Sequence, residues 1–431
     1  MPQDTPSYIK SQPLVALVDS SSQMGGVEFT TLYLAGVLPE TGMRCLVICP
    51  EEGELPERCR AVGVRVHIAP RPRIFSTSVQ VGKRYLPNPL AWSLGIAGTV
   101  LAAARLARQL RKLRVDLVCT KGLPAHFYGG LAAKLADIPC VWHVQDLVSD
   151  RAGGLYRWVL GLGARLFARQ VISDGTPIQR QLLPYLPAGM VKLIYNGVDT
   201  DLFSPGLSGR EVRAEWGIKD TELLIGNVAR LTAWKGQDHL IRAFANLGRE
   251  YPEARLVLVG APVFDSNAYE RELRRLVRNL GLSDRVIFAG FRWDLARVLA
   301  AMDIYAHASV EKDTSPVSVV SAMSSGKPIV AAAVEGVAEL FPRGSAEIVA
   351  AGDADALAEG LRSLLRDPAR RVVLGQSARG LAEQELSLGQ FADRCAAVFQ
   401  EALSGRVYAR WATRQTRLAQ PSAPGRDMVG N

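Results

Sequence analysis

Over positions 58–115 the chain has no acidic residue at all, while twelve Lys and Arg fall between 58 and 114. That absence excludes a charge-balanced surface there and predicts an attraction for polyanions. The imbalance is local. Residues 1–200 hold 22 Lys and Arg against 14 Asp and Glu, residues 201–431 hold 29 against 28, and the formal net charge of +9 therefore sits almost wholly in the first half. Cysteine is scarce and unpatterned: Cys45, Cys49, Cys59, Cys119, Cys140 and Cys395 have neither metal-ligand nor redox spacing. Most lie in apolar runs, as small core residues of a reducing compartment do. No apolar run is long enough to cross a bilayer. The longest uncharged segment, residues 85–104, contains Pro87, Asn88 and Pro89 near its start, leaving about 15 residues of continuous helix where about 20 are needed. The N-terminus has an apolar core of only about six residues before Asp19, too short for a signal peptide, so a cytoplasmic protein is expected. Also missing are a G-x-G-x-x-G loop followed by an acid, which disfavours a dinucleotide dehydrogenase, and any Asp-x-Asp pair suited to a metal. No nucleic-acid-reading motif accompanies the basic stretch, so nucleic acid is not an expected partner.

What the chain does have is a rhythm. A length of 431 residues suggests two domains of about 200 residues each. Short apolar runs at 14–18, 45–48, 64–68, 117–119, 140–142, 171–172 and 191–194 alternate with longer helical segments. The pattern restarts at 223–228, 256–259, 286–288, 304–305, 329–331 and 348–349. Uniform apolar runs separated by amphipathic stretches predict parallel strands with helical crossovers, hence an α/β fold of two doubly wound Rossmann-like sheets facing across a cleft. Turn formers around Asn196, Gly197 and Asp199 place the boundary, giving domains 1–200 and 201–403. Residues 404–431 lose apolar periodicity, carry five Arg against one Asp, and are expected to form a disordered basic tail.

Residues 223–240, LLIGNVARLTAWKGQDHL, read as strand, turn and helix, with Arg230 and Lys235 in the turn and Gly236 and Asp238 at the helix start. Such a turn aims unpaired backbone N–H groups and two cations at one point, an arrangement suited to an anion. Arg230 offers a planar fork for phosphate oxygens and Lys235 a mobile point charge. The bland alternative is two solvated loop cations.

The segment GNVARLTAWKG resembles the G-x-x-x-R-L-x-x-x-K-G motif of the retaining GT-B glycosyltransferases of the glycosyltransferase family 4 type. The resemblance implies a GT-B fold and metal-independent transfer of a sugar, with retained anomeric configuration, from a UDP- or GDP-type nucleotide-diphosphate sugar. The acceptor would be a glycan or a lipid-linked molecule in cell-surface polysaccharide or glycolipid synthesis, reached from the cytoplasm or as a peripheral protein on the inner face of the cell membrane. No cofactor is implied. Arg230 and Lys235 would hold the diphosphate, and Gly25 and Gly26 match a "GG-x-E" loop that faces it. His143, in WHVQD, resembles the His of an "H-x-x-D" segment and is expected to point into the cleft beside the donor sugar. His126 is a weaker acceptor-side candidate. The ending SAMSSGKPIVA resembles "E-A-M-A-x-G-x-P-V-V-A" of the family's E-x7-E segment. In that register Asp313 replaces the first Glu and Ser321 the second, with Pro316 and Val317 on the donor between them. The register puts Ser321 at the start of a helix. A Ser cannot reproduce a carboxylate's bidentate grip on two ribose hydroxyls, so an alternative is a catalytically weak homologue serving as a binding or partner subunit. The acid-free stretch also contains LGIAGTVLAAARLARQLRKLR, apolar first and basic at its end, which reads as a surface helix for an anionic membrane.

Overall fold

The computed structural model describes residues 12–71, 78–81, 84–87, 89–148, 154–262, 267–342 and 344–418. In the first half the strands are β1 (Leu14–Asp19), β2 (Arg44–Cys49), β3 (Arg65–Ile68), β4 (Ser78–Val81), β5 (Arg84–Pro87), β6 (Leu117–Lys121), β7 (Cys140–Val144), β8 (Gln170–Ser173) and β9 (Val191–Leu193). Seven of them form one sheet in the order β3-β2-β1-β6-β7-β8-β9. In the second half, β10 (Leu223–Val228), β11 (Ala254–Val259), β12 (Val286–Gly290), β13 (Ile304–His307), β14 (Ile329–Ala332) and β15 (Glu347–Val349) form a sheet of order β12-β11-β10-β13-β14-β15. Pairing within both sheets is parallel. Every apolar run of the two sequence rhythms marks one of these strands, with Val64 and Ile194 each one residue outside β3 and β9. The reason is visible in β1, buried along its whole length: a parallel strand covered on both faces must be apolar throughout. The antiparallel β4–β5 hairpin escaped the reading, because four-residue strands such as SVQV and RYLP carry no such run.

Helices cover each sheet on both faces, so the architecture is α/β and GT-B. One face of the first sheet packs on helices Pro89–Lys112, Leu123–Ala136 and Leu155–Phe167 through Leu106, Leu110, Ala132, Leu160 and Ala164. Its other face meets helices Gly26–Val37 and Glu54–Ala61. The last helix, Leu388–Leu418, corrects the expected division of the chain. Phe391, Cys395, Phe399 and Ala402, spaced three or four residues apart, lie in the core of the first domain beside Val15, Cys119 and Val141. The chain therefore crosses back, and the two crossings run side by side: Val198 N–H donates to Leu386 O at 2.8 Å and Leu388 N–H to Val198 O at 2.9 Å. The backbone shows no break at 403, since the helix continues to Leu418; residues 419–431 lie outside the described residues. All six cysteines are free and buried.

Candidate active site

In a parallel sheet the loops at the carboxyl ends of the strands share one edge, and here the two sheets present those edges to each other. On the second domain, β10 leads into a turn at Ala233–Lys235 and then the helix Gln237–Leu247. Gly236 makes the join possible, with φ +67° and a position where a Cβ would stand 2.0 Å from the Ala308 carbonyl oxygen. Arg230 is exposed. Its charge faces Asp146 of the first domain, whose carboxyl is raised by burial and lowered in part by Arg230. Lys235, in contrast, is buried, with its ammonium 4.1 Å from the Trp234 ring centroid and paired with the Asp313 carboxylate. The two cations are thus not solvated alike: one is open to the cleft and the other is held.

Asp313 is buried too. Burial alone would raise its pKa, but the Lys235 charge and a hydrogen bond from His307 outweigh that and hold the carboxyl well below its usual range. Its backbone is fixed by Asp313 N–H donating to Glu335 O at 3.0 Å, and by Gly336, φ +91°, where a Cβ would sit 1.8 Å from Asp313 O. After Asp313 the chain meets the other domain. Thr314 Oγ1 donates to Gln145 O at 3.4 Å, Asn196 N–H donates to Ser315 Oγ at 2.9 Å, and Asn196 Nδ2 donates to Ser315 O at 2.9 Å. Ser315 adopts φ +36°, a strained value for a residue with a Cβ. Pro316 then caps the helix Val317–Ser324, whose first N–H groups have no partner within the helix. Val317 is partly exposed at that helix start. Ser321 is not: it is the helix's fifth residue, fully buried, and its hydroxyl has no hydrogen-bond partner.

On the first domain, Gly25 and the exposed Gly26 open the helix Gly26–Val37. Glu28 lies in its first turn, where burial and the nearby Asp19 charge raise its carboxyl from the ordinary 4.5 to about 7. Both expected histidines prove to be core residues. His143 lies within β7, fully buried, with its ring 6.2 Å from that of Phe391 and neither ring nitrogen hydrogen-bonded. Burial drives its pKa far down, leaving a neutral ring enclosed by the core rather than one pointing into the cleft. His126 is buried by the same logic, stacked on Trp142 at 4.8 Å, bonded through Nδ1 to Thr120 Oγ1 at 2.8 Å, and lowered by burial to about 3. The residues of WHVQD that do reach the domain junction lie just past the end of β7: Asp146, which faces Arg230, and Gln145. The Gln145 side chain bridges two partners. Its amide donates to Asp174 Oδ2 at 3.2 Å and its Oε1 accepts from Thr30 Oγ1 at 3.1 Å. Asp174 and Asn196 complete this junction, with Asn196 Nδ2 donating to the same Asp174 oxygen at 3.2 Å. None of Gln145, Asp174, His307 or Ser309 was singled out in the sequence, and Asn196 was named only as a boundary marker. The available signal was position, since each follows or ends a strand at the facing edges.

Residues 24–202 match the family described as Glycosyltransferase Family 4, and residues 209–381 match Glycosyl transferases group 1. The chain is 31% identical over 419 residues to the D-inositol 3-phosphate glycosyltransferase of Kineococcus radiotolerans, covering 90% of this chain and 93% of that protein. It is 28% identical over 270 residues to an uncharacterized glycosyltransferase of Methanocaldococcus jannaschii, covering 59% of this chain and 66% of that protein. Among solved structures, HepE of Anabaena, crystallised in complex with UDP and glucose, superposes with a TM-score of 0.78 at 25% identity, covering 90% of this chain and 100% of that one. Similarity along almost the whole chain, a matching fold, and a strand, basic turn and helix at the facing edges agree: the chain belongs to the GT-B glycosyltransferases of the glycosyl transferases group 1 type.

Proposed function

We propose that this protein transfers a sugar from a UDP- or GDP-type nucleotide-diphosphate sugar to a glycan or lipid-linked acceptor with retention of configuration, in cell-surface polysaccharide or glycolipid synthesis. The carrying observation is the turn between β10 and the helix Gln237–Leu247, which sets Arg230 and Lys235 at the edge where the domains meet. A departing nucleoside diphosphate gains charge as the glycosidic bond breaks. Arg230, Lys235 and the first N–H groups of Val317–Ser324 supply fixed positive potential there, the part that a bound metal ion plays in other transferases. The HepE complex with UDP and glucose supports a nucleotide-sugar donor. Retention rests on the likeness of the GNVARLTAWKG and SAMSSGKPIVA segments to the retaining family.

Loss of either charge-assisted contact costs about 1.5 to 3 kcal/mol, or roughly 13- to 150-fold in affinity. Arg230→Ala and Lys235→Ala should therefore weaken UDP or GDP binding, measured by calorimetry, by at least tenfold. Variants that bind as tightly as wild type would remove the diphosphate from this turn. Tight nucleotide binding with no turnover on any donor would favour a partner subunit instead.

We propose in addition that the protein works at the inner face of the cell membrane. Helix Leu155–Phe167 turns mostly small residues inward: Leu160, Gly161, Gly163 and Ala164 are buried, while Leu155, Tyr156, Trp158, Val159, Leu162 and Leu166 are exposed. On the same layer, helix Pro89–Lys112 exposes Leu94, Ile96, Val100 and Leu101, then Arg105, Arg108, Arg111 and Lys112. Apolar side chains on two helices of one layer, edged by cations, suit an anionic lipid surface that carries the acceptor. No helix among the described residues is long and apolar enough to cross a membrane.

A further inference from the structure

The buried group around Asp313 holds two side chains that the proposed chemistry leaves unused, His307 and Ser309. Strand β13 ends at His307, and the chain beyond it is tied to the basic turn by Val310 N–H donating to Trp234 O at 2.9 Å. Three donors converge on Asp313 Oδ2: the Lys235 ammonium, His307 Nε2 at 3.2 Å and Ser309 Oγ at 3.3 Å. Oδ1 accepts from Thr314 N–H at 3.0 Å. His307 Nε2 also lies 3.0 Å from Ser309 Oγ, and its Nδ1 has no partner. One proton arrangement satisfies this geometry. His307 is neutral with its hydrogen on Nε2, donating toward Asp313 Oδ2 and Ser309 Oγ, while Ser309 donates its own hydrogen to the carboxylate. The ring is buried and burial lowers its pKa, which agrees with the neutral form.

A carboxylate filled in this way has little capacity left for a sugar hydroxyl. Its one mobile partner is Lys235, whose four-carbon stem would otherwise sample many rotamers. We propose that Asp313 fixes the Lys235 ammonium rather than the donor sugar, and that His307 and Ser309 are positioning residues that hold Asp313 for that purpose. This rests on the reading of Lys235 as a diphosphate contact.

The experiment measures calorimetric affinity for UDP and GDP beside uridine and guanosine, which lack phosphate. His307→Leu removes the donor and keeps the volume, and His307→Gln restores an N–H donor at similar reach. The expected result is a loss of about three- to tenfold for the diphosphates in His307→Leu, in the range of one neutral hydrogen bond, with nucleoside affinity unchanged and recovery in His307→Gln. Ser309→Ala should show a smaller loss of the same selectivity, and serves as the test if His307→Leu does not fold. Equal losses for nucleoside and diphosphate, or no recovery in His307→Gln, would overturn the proposal in favour of a packing role. Wild-type diphosphate affinity in His307→Leu while Lys235→Ala binds weakly would overturn it and leave the diphosphate grip standing. If Lys235→Ala also binds normally, both readings fall.

Discussion

Ser321 is a single side chain at which stability and binding make opposite demands. A buried hydroxyl without a partner forfeits its hydration, at a cost of about 1 to 3 kcal/mol, and the helix offers no compensating bond. Ser321→Ala should therefore raise the stability of the ligand-free protein by about 1 kcal/mol in denaturant unfolding. If the hydroxyl meets a nucleotide ribose when the cleft is filled, the same variant should bind UDP or GDP several-fold less tightly. Ser321→Glu, which supplies the carboxylate the family carries, should lower ligand-free stability because the new charge is buried, and should gain more from nucleotide than wild type does. An Ala variant less stable than wild type would mean the hydroxyl is partnered; unchanged nucleotide affinity would remove it from the ribose. Residues of this kind are hard to read in a sequence. Motif spacing marked out Arg230, Lys235 and Asp313, the last two of which the fold pairs, but the burial of His143 was not legible, since neighbouring residues of a strand face opposite sides and only those past its end reach the cleft. His307 and Ser309 acquire meaning only when β13 sets them against a residue 78 positions from Lys235 in sequence.

At the level of elements, the helix Leu155–Phe167 inverts the usual rule, and the inversion has a local cause. Gly161 and Gly163 allow the backbone to press against Tyr185 and against Phe127 and Trp142, where a Cβ would come within 2.4 Å and 2.7 Å of the nearest atoms. Close approach of the backbone leaves room inside for one fully buried large side chain, Leu160, so most of the others point out, Trp158 with 51% of its surface exposed. Full burial of such side chains is worth about 1.5 to 3 kcal/mol each, and partial insertion of several into lipid is enough for reversible association. Vesicle flotation should show binding that rises with anionic lipid content, lost in a Trp158→Ser, Leu162→Ser double variant and weakened by salt in wild type. Equal binding to neutral and anionic vesicles, or none to either, would remove the membrane reading. The sequence announced the other helix of this surface, Pro89–Lys112, through its basic end, but not this one. Its apolar residues look like an ordinary core stripe until the sheet shows which side is covered. The strands of the two parallel sheets were legible because burial on both faces makes them apolar in every register, whereas the final helix had to be seen to cross domains, since an apolar stripe does not say which core it fills.

Over the whole molecule, the two domains touch through more than the Asn196–Ser315 junction, and one contact is aromatic. Trp293, just after β12, receives the Arg58 guanidinium of the first domain at 3.5 Å from its ring centroid, with Phe29 of that domain at 6.0 Å and Phe291 edge-on at 4.7 Å. A cation over an exposed indole is worth about 0.5 to 1 kcal/mol and an aromatic pair about 0.5 to 1.5 kcal/mol. Together they bias the domains toward closure by an amount comparable to the polar contacts at Thr176–Glu339 and Arg180–Glu335, both at 2.9 Å and both partly solvated. Nucleotide that requires both domains binds only the closed fraction, so loosening the clasp lowers apparent affinity by the factor that fraction falls. Trp293→Ala should enlarge the radius of gyration of the ligand-free protein in solution scattering and weaken UDP or GDP binding by about three- to thirtyfold, with saturating nucleotide restoring the compact form. Arg58→Ala should do the same to a lesser degree. Because the two side chains act through one contact, the double variant should be no worse than Trp293→Ala alone. Additive losses would mean that Arg58 and Trp293 act separately, and an unchanged radius in both variants would show that closure depends on the Asn196–Ser315 junction without help from the aromatic clasp.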